Sequence, residues 1–283
     1  MSVAVEGVRG SRPGALARAF RFAGHHVLTA YAALAFAYLL VPIAIVVLFS
    51  FNHPKGRFNY IWEGFTLDNW RHWNAYEELT GAMKISLEIG AISSVAATAL
   101  GTLIALALVR YGFRGRGATN LFIFLPMSTP EIVLGASLLA LFLNLRFATG
   151  FLTILIAHIM FNVSYVVVTV KARLVGFDRH LEEAAMDLGA NEWTTFRKVT
   201  LPLIAPGILA AALLAFALSV DDFVITYFNS GSTTTFPLFV WGAAARGAPP
   251  QVNVMGTVIF VVALSLMAIN ILLQRRREGR APP

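Results

Sequence analysis

The sequence predicts an all-α membrane protein with six transmembrane helices. Of its 283 residues, 57% are hydrophobic and 13% are charged, which is about half the charged fraction of an ordinary soluble domain. The hydrophobic residues fall into six runs, each long enough to cross a hydrocarbon core, which takes about 20 residues. Because backbone polar groups in lipid must be paired within their own segment, the runs are predicted to be helices. In order, the predicted spans are residues 27–51, 85–109, 118–143, 151–170, 206–227 and 252–273.

The first three spans each carry a distinguishing feature. The first is longer than the apolar core of a signal peptide and has no small-residue cleavage site after it, so we expect it to be retained. The second places small residues at intervals of three and four, which suits either an ordinary Ala-rich helix or a specific contact with another subunit. These are Gly90, Ser94, Ala97, Gly101 and Ala105. The third contains two prolines, at 126 and 130, and is predicted to be kinked or locally unwound.

In the later spans, polar residues are few. The fourth carries His158 and Asn162, four residues apart on one helix face, and we interpret both as structural. The fifth follows an acidic segment of the chain, and the sixth leads into an arginine-rich tail.

The distribution of Lys and Arg predicts the orientation in the membrane. Sixteen of the 22 cations lie in the two tails and in the second and fourth connections, and six lie in the other connections. By the positive-inside rule, both termini and residues 178–202 are predicted to be cytoplasmic. We therefore expect cytoplasmic tails at 1–26 and 276–283 around a membrane domain at 27–275. The excess of positive charge is explained by topology, and because it is divided among short segments no nucleic-acid partner is expected.

The acidic segment before the fifth span predicts two short helices. One would cover residues 178–189, with Asp178 as N-cap and Gly189 just beyond its end, and the other would run from Asn191 to Leu201-Pro202. In the first helix, an apolar stripe would face away from the acids. The stripe is Leu181, Ala184, Ala185 and Leu188, and the acids are Glu182, Glu183 and Asp187. One interpretation is an interfacial helix that lies on anionic lipid. Such helices usually have a basic polar face, whereas the polar face here is acidic, so docking onto a soluble partner is favoured.

Four acids lie inside the predicted spans, at Glu88, Glu131, Asp221 and Asp222. Counted along straight helices, all four fall in the outer half of the membrane, where an ionisable residue is a candidate for function. We predict that the two aspartates and Glu131 form a negative constriction suited to a cationic solute. The alternative is that the aspartates only mark the end of a helix and face water.

No ATP-binding loop is present in the sequence. A phosphate-binding loop requires Gly-Lys followed by Ser or Thr, and none of the four lysines follows a glycine. The chain also has no cysteine. We therefore expect no catalytic or metal site, and any ATP would be hydrolysed by another chain.

The segment "EAAMDLGANEWTTFRKVTLP" resembles the EAA loop of permease subunits of ATP-binding cassette (ABC) importers. The pattern is Glu183-Ala184-Ala185, then Gly189, then Val199-x-Leu201-Pro202, with Val in place of the usual Ile. In this family the loop docks on the ATPase. The resemblance therefore implies a coupling role for Glu182, Glu183, Ala184, Ala185, Asp187, Gly189, Leu201 and Pro202.

Three further segments are similar to spermidine/putrescine permeases, in particular the C-type subunit: "WEGFTLDNW" at 62–70, "PEIVLG" at 130–135 and "SVDDFVITYFNSGSTTTFPLFVW" at 219–241. The resemblance implies a type I importer (MetI-like) transmembrane domain in the bacterial inner membrane. It implies three partners besides lipid: an ATPase, expected in two copies, a companion permease, expected to be a different chain, and an extracytoplasmic solute-binding protein. No cofactor is expected on this chain, with ATP and Mg²⁺ on the ATPase.

Other functions stay open at this stage. Relatives that import iron, thiamine or opines share much of the pattern. An ATP-independent secondary transporter would be expected to show two inverted halves with matching broken helices, and the sequence has one Pro-broken span and no repeat. A membrane scaffold would not require acids within its spans.

Overall fold

The computed structural model describes residues 15–176 and 178–278, and in this part of the chain the regular secondary structure is helical, with one isolated β-bridge between Asn52 and Phe65. Arg9, Arg12 and Arg280, which contribute to the predicted cytoplasmic tails, lie outside the described residues. The location of both termini therefore stays a prediction.

The helices follow one another with short connections. They are α1 (Ala15–Phe49), α2 (Asp68–Arg71), α3 (Glu77–Arg110), α4 (Arg116–Ser128), α5 (Glu131–Asn144), α6 (Phe151–Val175), α7 (His180–Asp187), α8 (Glu192–Thr195), a π-helical turn (Phe196–Thr200), α9 (Leu201–Asp221), α10 (Val224–Asn229), α11 (Phe236–Arg246) and α12 (Gln251–Glu278).

Within the described residues, four helical segments are long and apolar enough to cross a membrane: Val27–Phe49, Glu77–Arg110, Phe151–Val175 and Glu192–Asp221. A fifth span results if α4 and α5 are taken together as one bent pair. The predicted sixth span falls in α12, of which Gln251–Ser265 forms a shorter apolar helix. The all-α membrane class is confirmed, and the count of six stays a prediction.

The break in the third span lies where the prolines predict it. Helix α4 ends at Ser128, α5 begins at Glu131, and the two axes differ in direction by 108°. Thr129, the C-cap residue of α4, has an extended backbone (φ −83°, ψ 133°), as expected for a residue that precedes a proline, and Pro130 is the N-cap residue of α5. Because α4 is helical up to Ser128, the bend lies at the end of the stretch from which the depth of Glu131 was counted, and that depth stays a prediction.

Contacts within the chain divide the structure into two compact units. One unit holds α1, the segment from there to Trp73, and the chain from Pro249 onward, which includes α12. Its connection after α1 is organised by Asn52, whose side chain donates to the Asn59 side chain (2.6 Å) and accepts from the Glu63 backbone (2.8 Å). The aromatic ring of Phe51 also stacks on Trp70, with 5.4 Å between ring centroids.

The other unit, Asn74–Ala248, is built on α3, α6 and α9. Their shared core contains mainly small and β-branched residues: Ala97, Ala105, Leu108, Val166, Val167, Val170, Leu174, Ile204, Ala211 and Ala215. The small-residue face predicted on the second span lies in this core, since Gly90 faces α9 and Gly101 faces α6. Close packing within the chain therefore explains that pattern.

Adding one methyl group at Gly101 should destabilise this unit. A Cβ there would lie 2.6 Å from Val166 Cγ1 and 2.7 Å from Val166 Cβ, and a branched core residue has little freedom to move. We expect Gly101→Ala to lower the free energy of unfolding by at least about 1 kcal/mol, as overpacked cores do. Gly81→Ala, on the same helix with nothing within 4 Å of the added atom, is the matched control and should be neutral or slightly stabilising. Thermal unfolding in detergent compares them, and equal stability of the two variants would contradict this packing.

Candidate functional site

The first candidate region is the segment 178–202, which is predicted to be cytoplasmic and contains helix α7. Gly189 follows that helix with φ +89°, as predicted, and the backbone N–H groups of Gly189 and Ala190 bond the carbonyls of Met186 (2.9 Å) and Ala185 (3.1 Å). This paired arrangement closes a helix end and favours glycine. At the start, the helix begins at His180 with Arg179 as N-cap residue, one position later than predicted, although the Asp178 side chain still accepts the His180 N–H (3.0 Å).

The second short helix begins as predicted but does not end as predicted. The side chain of Asn191 caps α8 by accepting the Thr194 N–H at 2.8 Å. The predicted stop at Leu201-Pro202 is wrong, because the chain continues through a π-helical turn into α9. In that turn the Leu201 N–H bonds the carbonyl of Phe196, five residues earlier. The wider turn accommodates the proline ring, which in a regular α-helix would clash with the carbonyl four residues before it.

The orientation of α7 corrects the predicted arrangement of its faces at one residue, Glu182. In the apolar stripe, Leu188 is 90% exposed, Leu181 is 48% exposed, Ala184 is exposed and Ala185 is half-buried, so the stripe lies mostly on the outside. Glu182, predicted to project with the other acids, is instead buried at 5% exposure. Glu183 and Asp187 are exposed, as predicted. The exposed surface of α7 is therefore largely apolar, with two acids beside the apolar residues.

Glu182 is buried because it has partners from two other elements. Both guanidinium Nη atoms of Arg110, the last residue of α3, donate to its two carboxylate oxygens, and the Thr200 hydroxyl donates to Oε1. Burial raises the pKa of Glu182, but the hydrogen bonds from Arg110 and Thr200 outweigh burial and hold that pKa below its usual value. Glu182 is thus ionised at neutral pH and does not lie on the exposed surface.

The second candidate region is a polar cluster inside the unit built on α3, α6 and α9. The imidazole of His158, on α6, contacts Ser219 Oγ through Nδ1 (2.6 Å) and Thr226 Oγ1 and Asp222 Oδ2 through Nε2 (2.9 and 3.2 Å). Ser93 on α3 donates to Ser219 at 3.0 Å. With its proton on Nε2, the ring satisfies all these contacts. The cluster joins the end of α9 to the start of α10.

The two aspartates, predicted to act together, have different environments. Helix α9 ends at Asp221, whereas the predicted fifth span continued to residue 227. The side chain of Asp222 is 7% exposed and accepts from the backbone N–H and hydroxyl of Thr226, both at 2.8 Å, so it caps α10. Of the pair, only Asp221 is exposed.

The other two predicted acids are exposed and separate from this cluster. Glu131 lies in the first turn of α5, directly after the bend, and no hydrogen bond or ion pair among the described residues joins it to either aspartate. The Oε1 atom of Glu88 lies 3.8 Å from Nζ of Lys84, one turn earlier on α3. The predicted second span began at residue 85 and therefore did not include this lysine. The charge of Glu88 is thus locally compensated, which weakens its candidacy for the solute path.

Comparison with known proteins places most of the chain in one family. Residues 97–279 match the family of binding-protein-dependent transport system inner membrane components. The spermidine/putrescine transport system permease protein PotC of Haemophilus influenzae is 40% identical over 250 residues, covering 86% of this chain and 94% of PotC. The putrescine transport system permease protein PotI of Escherichia coli is 39% identical, covering 80% of this chain and 83% of PotI.

Solved structures share the fold at low sequence identity. A bacterial ABC transporter involved in the import of the acidic polysaccharide alginate matches with a TM-score of 0.65 and 15% identity, covering 92% of this chain and 99% of that one. The MetNI methionine ABC transporter matches with a TM-score of 0.53 and 17% identity, covering 75% and 98%. These likenesses confirm the predicted type I importer fold.

Proposed function

This chain belongs to the family of binding-protein-dependent transport system inner membrane components, and on that premise we propose that it is a permease subunit of an ATP-driven importer of polyamines. The observation that carries the substrate class is the 40% identity with PotC over 94% of the length of that relative. The chain is a multi-pass inner membrane protein, and ATP hydrolysis resides on a separate subunit of such importers.

The exposed acids support a cationic solute. Asp221 lies exposed at the end of α9, and Glu131 lies exposed directly after the bend between α4 and α5. A polyamine carries several ammonium groups, and their removal from water is unfavourable unless carboxylates replace the lost hydration. In our proposal Asp221 and Glu131 contact the solute, while Asp222 and His158 hold the break between α9 and α10 that presents Asp221.

The outward surface of α7 supports docking onto the ATPase. Its apolar residues, Leu181 and Leu188, are exposed where a solvated helix would normally bury them, and Glu183 and Asp187 lie beside them. Leu201 and Pro202, at the start of α9, would carry the movement of this surface into the membrane helices. We further propose two ATPase copies, a companion permease of different sequence, and an extracytoplasmic solute-binding protein.

The test is uptake by the complete complex in proteoliposomes. With companion permease, ATPase and binding protein present, labelled spermidine or putrescine should accumulate only with hydrolysable ATP. An excess of unlabelled polyamine should suppress that accumulation, while thiamine should not. ATP-driven uptake of thiamine or iron without polyamine uptake would agree with the proposed importer function but contradict the proposed substrate class. Polyamine uptake without ATP would instead favour a secondary transporter.

A further inference from the structure

The contacts of Glu182 bring together three elements that are far apart in the sequence. The carboxylate lies on α7, its guanidinium partner Arg110 ends α3, and its hydroxyl partner Thr200 ends the π-helical turn that leads into α9. The Arg110 contact uses both carboxylate oxygens, and such bidentate charge-assisted pairs fix relative orientation as well as distance. We call these three residues the coupling strut.

A second bond supports the strut at the end of α3. Arg179, the residue before α7, donates from Nη2 to the backbone carbonyl of Val109 at 3.0 Å. The last carbonyls of a helix lack partners within that helix, so this bond satisfies one of them. Residues at the beginning of α7 therefore hold the last two residues of α3 through one side-chain ion pair and one hydrogen bond from a side chain to a backbone carbonyl.

The strut connects a surface to a core. On its outer side, α7 exposes Leu188, Glu183 and Asp187. On its inner side, α3 and α9 pack with α6 through fully buried residues such as Ala97, Val166 and Ala215. A close-packed interior transmits displacement because it has few voids in which to absorb it.

We propose that Glu182 and Arg110 are positioning residues for coupling, which make α7 move together with the cytoplasmic end of α3 and the base of α9. This inference rests on the proposed function, in which α7 docks on the ATPase. Breaking the strut should leave docking in place but allow α7 to move without the membrane helices. ATP would then be hydrolysed with less solute carried for each ATP.

The test uses the complete complex in proteoliposomes, with labelled putrescine as the solute. Glu182→Gln and Arg110→Gln should each copurify with the ATPase and lower putrescine uptake per ATP hydrolysed at least about fivefold, within the range of coupling between contacting residues. Arg114→Gln removes an exposed arginine four residues beyond α3 and is the matched control, expected to keep the wild-type ratio. The charge-swapped variant, Glu182→Arg with Arg110→Glu, should regain most of the wild-type ratio.

A purely structural role would lower protein yield and leave the ratio unchanged in the protein that assembles. A wild-type ratio in both single variants would therefore overturn the proposal. Where a single variant fails to accumulate, the charge-swapped variant decides: recovered uptake per ATP supports the strut, and failure to recover it overturns the strut.

A second measurement does not depend on the solute. In the wild-type complex, a non-hydrolysable ATP analogue should change hydrogen exchange both in α7 and in residues 103–110 at the end of α3. In Glu182→Gln the change should be confined to α7. A change in residues 103–110 of the same size in the variant would overturn the strut, whereas absence of putrescine uptake by the wild type would contradict only the proposed substrate.

Discussion

Replacing Asp221 with Asn should lower ATP-driven uptake of labelled spermidine or putrescine about tenfold or more. Asn keeps the size of the side chain and removes its charge, and Asp221 is exposed at the end of α9 with no role in the cluster around His158. A charge-assisted hydrogen bond contributes about 1.5–3 kcal/mol, and 1.4 kcal/mol corresponds to a factor of ten. The variant should still copurify with the ATPase, because this carboxylate makes no hydrogen bond or ion pair with another residue in the part of the chain that the structure describes.

The comparison variant is Asp222→Asn, because Asp222 has a structural role and Asp221 does not. The Asp222 carboxylate is buried, caps α10 through Thr226 and contacts His158. We expect that variant to lower thermal stability and the yield of folded protein, since a buried network loses an ionised acceptor. Unchanged uptake in Asp221→Asn would remove this residue from the solute path. Unchanged stability in Asp222→Asn would contradict the structural role of the cluster.

Local backbone features were predictable from the sequence because they depend on neighbouring residues. Pro126 and Pro130 predicted the break in the third span, since a proline cannot donate a backbone hydrogen bond and restricts the residue before it. Gly189 and Asn191 predicted the helix end and the helix start between α7 and α8 for similar reasons. In each case the deciding interaction spans five residues or fewer.

Side-chain orientation depended on distant residues and was not predictable in the same way. The partner of Glu182 is Arg110, 72 residues earlier, and helical periodicity gives no means of choosing it among the cytoplasmic arginines. The signal available was only that Arg110 directly follows an apolar span. Likewise, the end of α9 at Asp221 is held by His158 on another helix, so an apolar run continuing to residue 227 was misleading.

Gly189→Val should lower ATP-driven uptake about five- to thirtyfold and weaken retention of the ATPase during purification. The native φ of +89° lies in the left-handed region, where a side chain with a Cβ is strained by about 1–2 kcal/mol, which corresponds to that factor in an equilibrium. A Cβ at this position would meet no atom within 4 Å, so the effect comes from the backbone and not from a clash. To relieve the strain, the last turn of α7 would unwind and displace Leu188, which is 90% exposed in the docking surface.

The variant Gly189→Asn tests whether the effect comes from backbone strain at the positive φ or from the loss of glycine itself. Asn tolerates the left-handed conformation far better than a β-branched residue does, so it should keep most of the uptake and ATPase retention. Both variants should remain in the membrane at wild-type levels, because the substituted residue lies in the exposed turn between α7 and α8. If the Val variant retains the ATPase and transports as well as the Asn variant, the surface of α7 is not the docking site, and the contact with the ATPase must be sought elsewhere on the cytoplasmic side.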